Sequence, residues 1–339
     1  MPVPVRPAQR FGLLAKEEAV YGVAETLSNT LDACEVYIGD GEPPEPDGMD
    51  FIYDGNGPGR IADTGAPRLA TAPAGASRQV PFKTMVKGRG AAYSASLTPP
   101  NAIHRWLKAS GYDATYNGGA GTWTYTPTAL NYTATSLTVR RFAQERQFDD
   151  IGVIASFNYS TSSQNPLGLL IADFSDAKGI ASLPADLTIP TLTHGQFGTA
   201  PLVVSGMTII VNGLAALPIR SLSYKQNRKI SGPRPQTNIA GGNAGYIHDG
   251  SMPMVEIEME RVALATFDPE TMRNAGTVFA LQWAFNVSVA ANRFRHYMAQ
   301  AQIMDVKNGQ VDGMATCTIT VRPHASTSNV YDYEYLVFD

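Results

Sequence analysis

The clearest hydrophobic pattern in the chain runs from Met254 to Glu260. Val255, Ile257 and Met259 fall on one side, and Glu256, Glu258 and Glu260 on the other. A period of two marks a strand with one face in a core and the other, here acidic, in water. Similar runs predict strands at 78–88, 122–128, 136–144, 152–160, 279–290, 295–308 and 312–323. MTIIV and LAALPIRSLSY flank Asn212-Gly213, which accepts the positive φ angles of a tight hairpin turn and predicts a hairpin over 207–224. Helical spacing is rarer. In LTPPNAIHRWLKASGYD, Thr98 caps, Pro99 opens the first turn, Ile103, Trp106 and Leu107 share a face, and Gly111 stops the helix. ATFDPETMRNAGT repeats the scheme with Asp268, Pro269 and Gly276, and GLLAKEEAVYG (12–22) suggests a further helical turn.

The order of these elements recurs. Each half reads as strands, a long polar loop, a strand, a helix and three more strands, although residue identity between the halves is slight. We therefore expect a mainly β protein of two tandem sandwich- or barrel-like domains, each with one flanking α-helix. They span 1–190, with a long acidic loop at 32–80, and 191–339, with a basic loop at 220–248. The Pro/Thr/Gly-rich stretch 183–200 would link them. A chain of 339 residues with 44% hydrophobic content can form such cores. Charged residues make up only 17%, which fits β structure with extensive subunit contacts. The net charge of −4 argues against wholesale attraction to nucleic acid or anionic membrane. The longest apolar stretch, 201–219, is broken by Gly206, Asn212 and Gly213 and does not read as a membrane span, and MPVPVRPAQR does not read as a signal peptide.

Chemistry-bearing motifs are absent from this reading. YDGNGPGR (53–60) offers Asp54 and Asn56 for a calcium loop, but Pro58 and Gly65 fall where ligands are needed, so it reads as a loop tip. KGRGAAYS (87–94) lacks the GxxxxGK(S/T) spacing of a phosphate loop, and GxGxxG fails where Ala92 and Tyr93 follow Gly90. His104, His194, His248, His296 and His324 form no ligand spacing, and Cys34 and Cys317 lack a nucleophile's context. Asp149-Asp150 and Asp173/Asp176 are acid pairs of a kind that turns also carry. No enzyme, cofactor or metal is expected.

Charge placement says more. Nine acids lie between Asp32 and Asp63, among them Asp47, Asp50 and Asp54, with Arg60 the only base. Five bases, Arg220, Lys225, Arg228, Lys229 and Arg234, lie between 220 and 234, with no acid until Asp249. Two solvated loops would explain this, and so would complementary contacts between copies of the chain.

Three stretches, RFGLLAKEEAVYG (10–22), VNGLAALPIRSLSYKQNRKI (211–230) and VEIEMERVALATFDP (255–269), resemble the tail tube proteins of long-tailed, non-contractile bacteriophages, in particular the larger, duplicated-domain members. The acidic insertion at 40–63 departs from that family's pattern. The resemblance implies a virion protein, made in the bacterial cytoplasm, whose strands join those of neighbouring copies into an inner barrel. It further implies homotrimeric, pseudo-hexameric rings that stack into a conduit for DNA ejection. The partners implied are the protein itself, a tape measure protein and terminator or distal tail proteins, with DNA passing unbound and no membrane involved. Glu256, Glu258 and Glu260 are the expected lumen face, since carboxylates do not grip phosphates. The helices would cover the outer side of the sheets. The alternatives are a terminator or distal tail protein of the same fold, or a carbohydrate-binding β-sandwich using Tyr116, Trp123, Tyr125 and Tyr132.

Overall fold

The computed structural model describes residues 11–36, 50–51, 76–128, 135–143, 146–162, 170–181, 185–186, 190–192, 202, 207–215, 217–234, 244–285, 292–325 and 332–339. They form β1 (Phe11–Glu17), β2 (Ala33–Cys34), β3 (Asp50–Phe51), β4 (Ala76–Gln79), β5 (Lys83–Met85), α1 (Asn101–Ala109), β6 (Tyr112–Asn117), β7 (Thr122–Pro127), β8 (Leu137–Ala143), β9 (Arg146–Ile154), β10 (Asn158–Ser162), β11 (Ile171–Asp173) and β12 (Lys178–Ala181). There follow β13 (Ala185–Asp186), β14 (Thr208–Val211), β15 (Ile219–Lys225), β16 (Ile230–Ser231), β17 (Ile247–His248), β18 (Met254–Glu260), α2 (Pro269–Asn274), β19 (Val278–Phe285), β20 (Phe294–Val311), β21 (Met314–Pro323) and β22 (Tyr335–Phe338). The protein is mainly β, as expected, and among the described residues every strand pair is antiparallel.

Two large sheets carry the fold. One runs β2-β1-β8-β9-β12-β4-β3, with β13 beside β9. The other runs β5-β11-β10-β15-β18-β21-β20-β22-β7-β6, with β19 on β20 and β14 on β19. Among the described residues neither closes into a barrel. β1 replaces the expected helical turn at 12–22. Leu13 and Ala15 point into the main core while Leu14 packs with Ala33 and Phe142, and the seven-residue ladder with β8 overrides the local helix preference of Leu, Ala, Lys and Glu.

The sheet and the core both cross the expected boundary at 190/191. β10 pairs with β15, and β22 pairs with β7. A single buried cluster holds Trp106, Tyr112 and Phe174 together with Tyr224, Trp283 and Ile319. The halves also differ in sheet order. The strands after α1 divide between two sheets, whereas β19, β20 and β21 after α2 form one meander. Similar element order along the sequence therefore does not become similar pairing.

The helix α1 is core rather than flank. It contacts β1, β2, β8 and β9 of one sheet and β6 of the other, and Trp106 lies against Phe82 and Phe174. It begins after Pro100 rather than at Pro99. A residue preceding a proline is held extended, so Pro99 cannot be helical, and Thr98 makes no capping bond. In α2, Asp268 does cap, accepting the backbone N–H of Thr271 at 3.0 Å. Asn212-Gly213 forms its turn, with φ of 50° and 79°. The strands then part: β14 joins β19, while β15 runs between β10 and β18. A second tight turn, Asp312-Gly313, joins β20 to β21, the longest ladder among the described residues.

Candidate functional site

Alternation in β18 places Val255, Ile257 and Met259 in the core and leaves Glu256, Glu258 and Glu260 half-buried on the opposite face. Register extends that face across neighbouring strands. Ser160 on β10 stands beside Ser223 on β15, then Glu256, Thr320 on β21 and Asp305 on β20. The next row is Ser221, Glu258, Thr318 and Lys307, and the one after it Glu260, Thr316 and Gly309, of which Thr316 is buried. The Ser221 hydroxyl donates to Glu258 at 3.2 Å. Arg220 lies 3.3 Å from both Glu260 and the turn residue Asp312, fastening β15 and β18 to the turn of the β20–β21 hairpin. The result is a wet face of hydroxyls and carboxylates over a dry core.

At one end of this face lies a groove of about 480 Å³. Its cross-strand row is Lys83, Asp173, Asn158 and Lys225, with Ser160 and Ser223 in the next row. Lys83 pairs with Asp173 at 3.2 Å. Among the described residues no group of three His, Cys, Asp or Glu side chains is placed to hold a metal ion, and no helix is long and apolar enough to cross a membrane.

The expected basic contact surface divides. Lys225 and Lys229 are exposed, and Lys229 lies 3.4 Å from exposed Asp249. Arg234 is half-buried and donates to the Ala244 carbonyl. Arg228 is not a surface residue at all: it is 5% exposed. Its Nη1 donates to the carbonyls of Ser110 at 3.0 Å and Gly111 at 2.6 Å, just past the C-terminus of α1. Gln226 donates to Ser110 O, and His248 Nε2 to Ala109 O. The basic segment thus caps the negative end of the α1 dipole and satisfies carbonyls the helix leaves orphaned. Burial, then the Arg228 charge, pushes the His248 imidazole down to about 3, so it stays neutral. Of the acidic partners, Asp47 and Asp54 lie outside the described residues, as does YDGNGPGR, and Asp50 lies in the short strand β3.

A buried polar cluster went unforeseen. Tyr112 and Tyr224 hydroxyls each lie 2.9 Å from Glu334 Oε1, and His296 Nε2 lies 3.2 Å from Oε2. Tyr159 reaches His296 Nδ1 at 2.8 Å, and Trp283 Nε1 donates to Tyr159 at 2.7 Å. All six side chains are buried. Burial lowers the His296 pKa, against the pull of Glu334. The sequence did carry a signal: His296 shares strand phase with Phe294 and Met298, and Glu334 with Leu336 and Phe338. A polar residue in the inward phase of an apolar strand predicts a buried partner.

The aromatic set proposed for carbohydrate is not an exposed platform. Tyr125 is fully buried, and Trp123 is nearly so, its indole N–H shared between the Ser94 and Leu97 carbonyls. Tyr116 is half-buried, and Tyr132 lies outside the described residues. No protein-family model matches the sequence, and no curated protein matches it.

Proposed function

We propose that this chain is the repeating subunit of a bacteriophage tail tube, a structural protein without catalytic chemistry whose copies form the wall of a conduit for DNA. The observation that carries the reading is the wet face of the large sheet. Hydroxyls and carboxylates from β10, β15, β18, β21 and β20 alternate with core residues behind them. Turned toward a lumen, such a wall offers phosphates no dense array of cations, so DNA passes without being held at each step.

Assembly needs edges that other copies can complete. Beyond Gln302, where β19 stops, β20 continues to Val311 with β21 on one side and, among the described residues, no strand on the other. Residues 307–310 there are exposed. The likeness of 10–22, 211–230 and 255–269 to tail tube proteins supports the same reading. Because the two halves do not share a sheet order, the copy number of a ring is left to its geometry rather than to an internal repeat. The test is negative-stain microscopy of the purified protein across concentration. Rings or tubes of uniform diameter are expected. A dispersed monomer under all conditions, or capped rings that never extend, would argue against a tube subunit, the latter favouring a terminator of the same fold.

A further inference from the structure

We propose that the buried chain Trp283–Tyr159–His296–Glu334 is a proton-operated latch on the C-terminal strand β22. This strand lies between β20 and β7 and is the hydrogen-bonded link from the β6–β7 hairpin to the rest of its sheet. Glu334 immediately precedes it and is fully buried. The carboxylate is held by side chains from three other strands: Tyr112 of β6, Tyr224 of β15 and His296 of β20.

Donor chemistry fixes the protons. The Trp283 indole nitrogen can only donate, so the Tyr159 oxygen accepts from it. The Tyr159 proton then points to His296 Nδ1, which must be the bare nitrogen. The imidazole is therefore neutral, with its proton on Nε2 directed at Glu334. A second proton, added at Nδ1, would face an oxygen that already receives the indole N–H, and the Tyr159 proton would lose its acceptor. The titratable groups facing His296 are Tyr159, Tyr224 and Glu334, with Tyr112 behind Glu334 and the Arg228 charge acting on Tyr112, Tyr224 and Glu334. Glu334 favours the imidazolium. Burial and the Tyr159 donor oppose it.

Opening β22 exposes His296 to water, where it takes up a proton with an ordinary pKa near 6.5. Below that pH the open state gains about tenfold per unit over the closed state. Release would uncover two strand edges at once, Phe294–Tyr297 of β20 and Trp123–Tyr125 of β7.

The test is hydrogen exchange of the full chain, read on a peptide covering 332–339 and corrected for the intrinsic pH dependence of exchange. Protection of that peptide should fall about fivefold between pH 6.5 and 5.5 while peptides from β8 and β9 keep theirs. In His296→Gln, which retains a side-chain N–H for Glu334, the fall should vanish. In Tyr159→Phe, which frees Nδ1 to take up a proton in the closed state as well, the fall should be smaller and level off sooner. A wild-type peptide whose protection does not change with pH, or changes only in step with every other strand, overturns the latch. So does an unchanged pH dependence in His296→Gln. Should that variant not fold, the wild-type and Tyr159→Phe profiles decide alone.

Discussion

Replacing Arg228 with Ala should destabilise the monomer by about 3 kcal/mol, although the residue sits in a segment that reads as a surface charge cluster. Its guanidinium makes two charged hydrogen bonds, to Ser110 O and Gly111 O. Bonds to a charged group contribute about 1.5–3 kcal/mol each. The lower end applies because neither carbonyl is orphaned by the change: Gln226 still donates to Ser110, and Thr128 still donates to Gly111. The lost packing of the aliphatic stem adds to this sum, while relief of a buried cation subtracts from it; burial already lowers the pKa of this guanidinium. The control is Lys229→Ala, one residue away. Its ammonium is exposed and faces an exposed Asp249, an arrangement whose contribution lies near zero. Equilibrium urea denaturation of dilute protein, followed by tryptophan fluorescence, separates the two. With an m-value of about 3 kcal/mol per molar, the Arg228 variant should shift its midpoint by roughly 1 M and the Lys229 variant by almost nothing. Midpoints that coincide would refute the claim that the basic segment caps α1, and would return Arg228 to the surface.

The same contact predicts that Gly111→Ala is worse tolerated than an ordinary glycine substitution, since a Cβ there would lie 1.8 Å from Arg228 Nη1 at a φ of +78°; thermal denaturation against Gly121→Ala, where φ is also positive but the space is open, checks it. The pH dependence has a definite sign. His104 is pushed down to about 3, first by burial and then by Lys108, and His248 to the same level, so both are neutral when folded. The unfolded chain protonates them near 6.5. Their stabilisation is therefore complete above that pH and is lost as pH falls from about 6.5 toward 3, with a slope of up to about 1.4 kcal/mol per unit for each. Melting temperature against pH should lose part of its slope in the double variant His104→Gln, His248→Gln, buried His296 keeping the rest, and an unchanged slope would refute the assignment. Glu256→Lys with Glu258→Lys should leave folding and tube formation intact but make assembled tubes retain DNA in a salt-dependent way; tubes that stay indifferent to DNA would mean this face does not line the lumen.

What the sequence made legible follows from the range of the forces involved. β18 and its two faces were legible because its alternation reports a local fact, one wet and one dry face, although a strand expected over 253–264 stops at Glu260. α2 was legible from Asp268 and Pro269, whose effects act within a turn. The start of α1 was misplaced by weighing Pro99 alone, when the following Pro100 forbids a helix there. β1 was misread because its Leu, Ala, Lys and Glu favour helix locally, and only the β8 ladder, more than a hundred residues away, decides otherwise. The wet acidic face was readable from β18, but its breadth needed cross-strand register, which a single sequence does not carry. Arg228 illustrates the opposite failure. Nearby Lys225 and Lys229 are exposed, yet Tyr224, Gln226 and Arg228 turn inward together, the last two beyond the end of β15 where Asn227 takes a positive φ, a backbone change the sequence does not announce.

The interlocking of the two halves yields a prediction with a sharp outcome. Residues 1–190 or 191–339 expressed alone should not fold. The first fragment would lose β15 beside β10 along five residue pairs, and β22 beside β7. It would also lose Gln226, Arg228 and His248 from the end of α1, and Glu334 and Tyr224 from the buried Tyr112 hydroxyl. The Tyr21 side chain would lose its seat, since its hydroxyl accepts the Tyr246 N–H at 2.7 Å and donates back to the same residue's carbonyl. Each half would also expose to water its share of the one apolar cluster that both build, and that loss of burial outweighs the roughly 5–15 kcal/mol that separates most folded domains from unfolding. Circular dichroism during urea titration should therefore show no cooperative transition for either fragment, whereas mixing the two should restore one. A cooperative transition in an isolated half would mean that the shared sheet and core are a contact between two self-sufficient units rather than a single folding unit.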